Sequence, residues 1–232
     1  MNSSEIAVKV KTGLNKLDSQ DYQNVEMWII QQEYNKAAID IVRETLRGNN
    51  PKREGKEQTL SIIEDLQVLL KSDVLSGINK DTYFKSQPFK KDYIQLSRVT
   101  PIVESSTCSN PVRFPSDLIE DSNVSEFLSH YDTSPSYDFE QSIHTLMGNR
   151  VYLYHNNQFK VRELDITYYR EPKYLTFPNA PTPNGGVGKD EPSEFKKDFT
   201  ELIIERTIEN ISSNIESINR MQIAQNAVQE LK

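Results

Sequence analysis

The sequence predicts an α+β fold: an N-terminal antiparallel helical bundle, an inserted antiparallel β-meander and one long C-terminal helix. Three observations predict it. Apolar residues recur at helical spacing in three successive runs before Gly77. The stretch Val151 to Tyr169 (VYLYHNNQFKVRELDITYY) is rich in β-branched and aromatic residues. From Glu194 to Leu231 neither proline nor glycine interrupts the chain. The domains read as 1–77 (helical bundle), 78–177 (β-rich insertion with a long acidic loop), 178–192 (linker) and 193–232 (C-terminal helix packing on the bundle and reaching a partner).

Taken in order, Ser3 or Ser4 caps a first helix with Ile6, Val10, Leu14 and Leu17 on its apolar face. Asp18 and Asp21 punctuate it. A second helix runs to about Leu46 and buries Val25, Trp28, Ile29, Ala38, Ile41, Val42 and Leu46. After the turn Gly48 to Gly55, a third helix from about Lys56 to Leu75 buries Leu60, Ile63, Leu66, Leu70 and Val74, then stops at Gly77. Short joints between amphipathic helices give an antiparallel bundle.

Pro88 and Pro101 flank an extended run from Tyr93. Ser105 to Ser136 is a long polar loop with a short helix at Val124 to His130, and a loop of that length is usually functional or ordered by a partner. Tyr137 to Met147 reads as extended, closed by a turn at Gly148-Asn149. Asn156-Asn157-Gln158 then joins Val151–His155 to Phe159–Val161 as a hairpin, since asparagine tolerates positive φ. Phe159 and Val161 share one strand face, whereas Leu164, Ile166 and Tyr168 have the opposite parity. A bulge near Arg162-Glu163 returns both sets to the core. Pro178 to Pro192, with four prolines and three glycines, continues neither helix nor strand. Asp190 or Ser193 caps the last helix. Within it Ile204, Ile208, Ile211, Ile215 and Ile218 are spaced 4-3-4-3, a coiled-coil seam. Phe195, Phe199 and Leu202 are expected on the chain's own bundle, and Ile211, Ile215, Ile218 and Met221 on a partner.

Composition narrows the function classes. Over 232 residues, hydrophobic residues make up 36% and net charge is −7, with a mean hydropathy of −0.65; these values suit a chain that shares surface with partners. Eleven tyrosines against one tryptophan suit interfaces that are part apolar and part wet. Between Arg113 and Arg150 there is no Lys or Arg, but there are Asp117, Glu120, Asp121, Glu126, Asp132, Asp138 and Glu140. A nucleic-acid binder shows the reverse balance. Seven carboxylates without a cation are expected on a lumen or another solvated face. Cys108 is alone, which points to a reducing compartment. No signal-peptide core and no membrane-spanning stretch is visible, so the reading is a soluble product of a cytoplasm.

No motif carries chemistry. Asn184-Gly185-Gly186-Val187-Gly188 lacks both the strand–turn–helix context and the lysine of a phosphate cradle, and reads as a hinge. His130, His144 and His155 have no partner at ligand spacing, so no metal, cofactor or catalytic residue is assigned. Tyr152, Tyr154, Tyr168 and Tyr169 are expected at subunit contacts, because tyrosines on both faces of one strand are hard to bury in a single core.

Several stretches, in their order, resemble the head–tail connector (neck ring or adaptor) proteins of crAss-like tailed bacteriophages. They are Asp21 to Leu46 with Trp28 and Asn35-Lys36-Ala37, Leu66-Gln67-Val68-Leu69-Leu70, Asp92-Tyr93, Ser134-Pro135-Ser136-Tyr137-Asp138-Phe139, Asp165-Ile166-Thr167-Tyr168-Tyr169-Arg170-Glu171-Pro172 and the closing helix. The resemblance implies a virion structural protein without enzyme activity or cofactor, made in the host bacterial cytoplasm. It implies a homo-oligomeric ring, usually twelvefold, that binds the portal protein and adjacent neck or tail rings and lets DNA through its centre. A negative lumen fits that role, because it repels phosphate. The readings set against it are a cytoplasmic scaffold unrelated to virions and a metal-dependent hydrolase. The hydrolase needs clustered carboxylates beside a basic groove, and the carboxylate-rich stretch has no basic residue.

Overall fold

The computed structural model describes residues 1–17, 25–47, 64–90, 92–105 and 110–230, with the side chains of 15–17 and 215–230 outside the description. The chain forms two compact units: residues 1–68 together with 172–232, and residues 69–171. Among the described residues, nine strands in two sheets are the most numerous elements.

In the second unit the strands are β1 (Leu70–Leu75), β2 (Gly77–Asn79), β3 (Tyr83–Ser86), β4 (Tyr93–Glu104), β5 (Val112–Arg113), β6 (Ser116–Leu118), β7 (Ser142–Met147), β8 (Arg150–Tyr154) and β9 (Lys160–Arg170). One sheet has the order β1-β9-β4-β5 and the other β2-β3-β8-β7-β6. Neighbours are antiparallel except for β6 and β7, which are parallel. Each edge of one sheet runs straight into an edge of the other. Strand β1 passes into β2 through Ser76, and β5 passes into β6 through Phe114 and Pro115. The two sheets are therefore the faces of a flattened barrel, closed by two bent strands, an arrangement that leaves little open edge.

The barrel core takes Val99, Val103, Val161, Leu164, Ile166 and Tyr168 from the first sheet, and Phe84, Val151 and Leu153 from the second. Phe114 and Phe159 meet edge-on inside it, with ring centroids 5.4 Å apart. The parity shift in β9 is resolved by a bulge at Arg162: Ile102 faces Glu163 while Val103 faces Val161. Leu164, Ile166 and Tyr168 then point inward with Val161.

The first unit is built on α4 (Lys197–Glu230), against which α1 (Ser3–Leu17) and α2 (Met27–Leu46) pack far more extensively than against each other. Ile6, Val10 and Leu14 of α1, Ile30, Tyr34, Ala38, Ile41 and Val42 of α2, and Phe199, Ile203, Ile204 and Ile211 of α4 are buried. Residues 172–196 lie over this packing as an extended strap. Gln31 and Asn35, one turn apart on α2, bind the strap backbone. Asn35 Nδ2 donates to the Leu175 carbonyl (2.9 Å) and Asn35 Oδ1 accepts from the Leu175 amide (2.7 Å). Gln31 accepts from the Phe177 amide (2.8 Å) and donates to the Pro181 carbonyl (2.8 Å). Farther along, Asp190 accepts from the Ser3 hydroxyl and the Ser4 amide, both at 2.9 Å. A residue of the strap thus caps α1 and complements its positive end, and these hydrogen bonds hold the Asp190 carboxyl below its usual range.

Several expectations are corrected. Among the described residues, 1–77 is not an antiparallel bundle of its own: α1 and α2 pack chiefly on α4, and the chain enters the sheets at Leu70. The expected third helix ends in a 3-10 turn, Gln67–Leu69, and Leu70–Leu75 is a strand. A spacing of four, as between Leu70 and Val74, is also two strand periods, and both side chains are exposed on the outside of the barrel. The turn Gly48 to Gly55 and the start of that predicted helix lie outside the described residues, as do Asp18, Asp21 and Cys108. The three-stranded meander does not form either: β7 and β8 are a hairpin, but β9 leaves for the other sheet and pairs with β1 and β4. Helix α2 is rotated from the predicted face, leaving Trp28 45% exposed while Gln31, Asn35 and Thr45 are buried. Pro178 to Pro192 is tied to α1 and α2, and Asp190 caps the first helix in place of the last. The buried face of α4 includes Thr200, Ile203 and Thr207, so over its described part it is the wide stripe of a globular helix rather than a 4-3-4-3 seam.

Candidate functional site

The predicted interface tyrosines do not share one surface. Tyr152 and Tyr154 lie on the outer face of the β2–β6 sheet, where alternation along β8 turns them away from Val151 and Leu153. Tyr83 of β3 joins them, with ring centroids 5.7 Å from Tyr152 and 6.2 Å from Tyr154. The Lys85 ammonium stands 5.4 Å from the centre of the Tyr152 ring. Tyr168 belongs to the barrel core: its ring is fully buried and its hydroxyl donates to Asp73 Oδ2 at 3.0 Å. The Arg162 bulge puts it there, and Tyr168 is withdrawn as an interface residue. Tyr169 is half-buried on the outer face of the other sheet, between Leu70 and Gln95.

Ile211 is also withdrawn, being buried in the chain's own first unit. The side chains of Ile215, Ile218 and Met221 lie outside the described residues, although the helix carrying them continues to Glu230.

Asp117, Glu120, Asp121, Glu126, Asp132, Asp138 and Glu140 are all exposed. Asp117 lies in β6, Glu126 in the short helix α3 (Val124–Ser129), and the others in the segments between β6 and β7. None forms an ion pair among the described residues. With no Lys or Arg in the same stretch, the segment carries an uncompensated negative field.

Two exposed rings on the same segment had no periodic signal and were missed by sequence reasoning. Tyr131 is 79% exposed and Phe139 is 66% exposed, yet they touch edge-on with centroids 6.3 Å apart at 86°. Their backbone is built rather than loose. The Thr133 and Ser134 amides donate to the His130 carbonyl, and Ser136 and Gln141 exchange two backbone hydrogen bonds. The Thr133 hydroxyl ties back to Phe127. Glu140 takes a positive φ of 51° to close the turn.

Among the described residues, no reactive constellation accompanies these surfaces. His144 and His155 point into the barrel. His144 Nδ1 meets the Ser116 hydroxyl at 2.8 Å, and both Nε2 atoms are buried without a partner. Burial lowers the His144 pKa to about 4 and shifts His155 downward as well, so both rings are neutral at physiological pH. Among the described residues no three His, Cys, Asp or Glu side chains converge on a metal position. A cleft of about 350 Å³ between α2 and the strap is lined by Tyr34, Lys173 and Ser193 among others. Burial pushes the Tyr34 hydroxyl up to about 12, so it is a neutral partner for Ser193, 3.4 Å away, and no histidine belongs to this unit. No helix of the described residues is long and apolar enough to cross a membrane.

These features define a class: a barrel-and-helix protein whose distinctive chemistry lies on its surfaces. No known protein family matches the chain, and no curated protein matches it.

Proposed function

We propose that this protein is a structural subunit of a virion neck, a head–tail connector that assembles as a homo-oligomeric ring between the portal vertex and the tail. One observation carries the reading: α4 buries Phe199, Ile203, Ile204 and Ile211 in its own unit and runs on as one helix to Glu230. At 1.5 Å per residue that continuation is about 28 Å long, and its sequence still carries Ile215, Ile218 and Met221 at helical spacing. A long helix with apolar residues at this spacing is suited to dock on a portal or on the next subunit. The cation-free carboxylates from Asp117 to Glu126 support the same reading, since a ring presenting them inward repels phosphate and lets DNA slide. The subunit needs no cofactor and performs no turnover.

A paired measurement on Ile215→Asp tests this. The isolated variant is expected to melt within a few degrees of wild type while losing assembly with itself or with the portal protein of the same virus. A large drop in the melting temperature of the isolated chain would place Ile215 in the subunit's own core and remove the docking role.

A further inference from the structure

We infer that the Tyr131–Phe139 pair is a docking site for an arginine-bearing segment of another protein. Two large rings in contact with each other but open to solvent are unusual on a hydrogen-bonded turn, where burial is the ordinary fate of such side chains. The turn holds them without a partner, so little ordering is required when one arrives. Asp132 adjoins Tyr131, and Asp138 and Glu140 adjoin Phe139; all three are exposed and none is ion-paired among the described residues. An aromatic face beside carboxylates matches one side chain best. A guanidinium stacks flat on a ring and presents its remaining N–H groups to carboxylate oxygens in a planar fork.

Charge also decides which molecule brings the arginine. Removing the seven acids of this segment from the chain's 34 leaves 27, equal to its 27 Lys and Arg. The rest of a second copy therefore carries no net basic excess to meet the negative segment, which favours a different, basic chain as the occupant. Nucleic acid is disfavoured by the same field, although exposed rings alone would suit base stacking. This inference does not rest on the connector reading. If both hold, Asp132, Asp138 and Glu140 belong to a protein contact, and the carboxylates from Asp117 to Glu126 remain for the channel.

The test uses the full-length chain and three probes: a ten-residue peptide alternating Arg and Gly, the same peptide with citrulline in place of Arg, and a twenty-residue oligo(dT). Binding is read by calorimetry and by amide chemical shifts. Saturable binding of the Arg peptide is expected, with shifts concentrated between residues 130 and 141, weakening at least tenfold with citrulline. Tyr131→Ser/Phe139→Ser should lose at least tenfold while leaving the melting temperature unchanged, because both rings are exposed; Asp132→Asn/Asp138→Asn should lose a similar factor. Equal binding with and without the rings, shifts spread over all seven carboxylates, or preferential binding of oligo(dT) would each overturn the inference.

Discussion

The Asn79 side chain hydrogen-bonds both backbone groups of Val161. Its Nδ2 donates to the Val161 carbonyl at 2.7 Å, and its Oδ1 accepts from the Val161 amide at 3.1 Å. Asn79 ends β2 and Val161 lies near the start of β9, so the amide stands in for a strand pair between the two sheets. Asn79→Ala leaves one donor and one acceptor without partners, and a loss of about 2 kcal/mol is expected, with part of the penalty relieved by water. Urea unfolding monitored by tryptophan-independent circular dichroism checks it. Asn79→Asp should also be destabilising, because it keeps the acceptor for the Val161 amide but turns a carboxylate oxygen toward the Val161 carbonyl.

The same device recurs in the other unit, where Asn35 binds the amide and carbonyl of Leu175 and is itself buried. Burial raises the stakes. Asn35→Ala is expected to cost about 2–4 kcal/mol, more than Asn79→Ala, and to expose the strap to limited proteolysis between residues 174 and 190. Unaltered cleavage in that segment would show that the strap is held by other contacts.

Two glycines separate a hard contact from a soft one. A Cβ at Gly77 would lie 2.3 Å from the Lys85 carbonyl oxygen and 2.5 Å from the Phe84 ring, at the corner where β1 becomes β2. A Cβ at Gly13 would lie 2.3 Å from Ile208 Cδ1, the movable end of a side chain. Gly77→Ala should therefore cost several kcal/mol, as overpacking of a core does. Gly13→Ala should cost about 1 kcal/mol or less, since helix propensity offsets part of the clash, and Gly13→Ala with Ile208→Val should recover wild-type stability. Comparing the three unfolding midpoints decides it.

Acid should weaken the barrel through His144. Its pKa is about 4 in the folded protein against an ordinary 6.5, so between those values the unfolded chain holds a proton that the folded chain does not. Stability is therefore full above pH 6.5 and falls as pH drops towards 4, by about 3 kcal/mol for this group. The downward shift of His155 has the same sign. Unfolding free energies at pH 7.0 and 4.5 measure the loss, and His144→Gln should remove most of its share while keeping a partner for Ser116.

What was legible in the sequence followed local rules. The strand Tyr93–Glu104, the Gly148-Asn149 turn, the Arg162 bulge and the apolar face of α1 each follow from residue type and parity. The failures lie where a distant segment decides. Leu70 and Val74 fit a helix as well as a strand, and pairing with β9 selects the strand. Gln31 and Asn35 look like the solvent face of α2 until the strap arrives about 140 positions later to use them. Parity places Tyr168 in the core, whereas tyrosines on both faces of one strand suggest a subunit contact; Asp73 of β1 decides for the core by supplying the buried partner its hydroxyl needs. The carboxylates could be listed from sequence, but the contact between Tyr131 and Phe139 across an eight-residue interval could not.

The connector reading is tested most directly by imaging. The purified chain, alone and mixed with the portal protein of the same virus, is examined by negative-stain electron microscopy alongside mass measurement in solution. The account predicts closed rings of this chain with an open central channel, formed alone or on the portal. A population that stays monomeric or dimeric at high concentration, with the portal present and no complex formed, would contradict it.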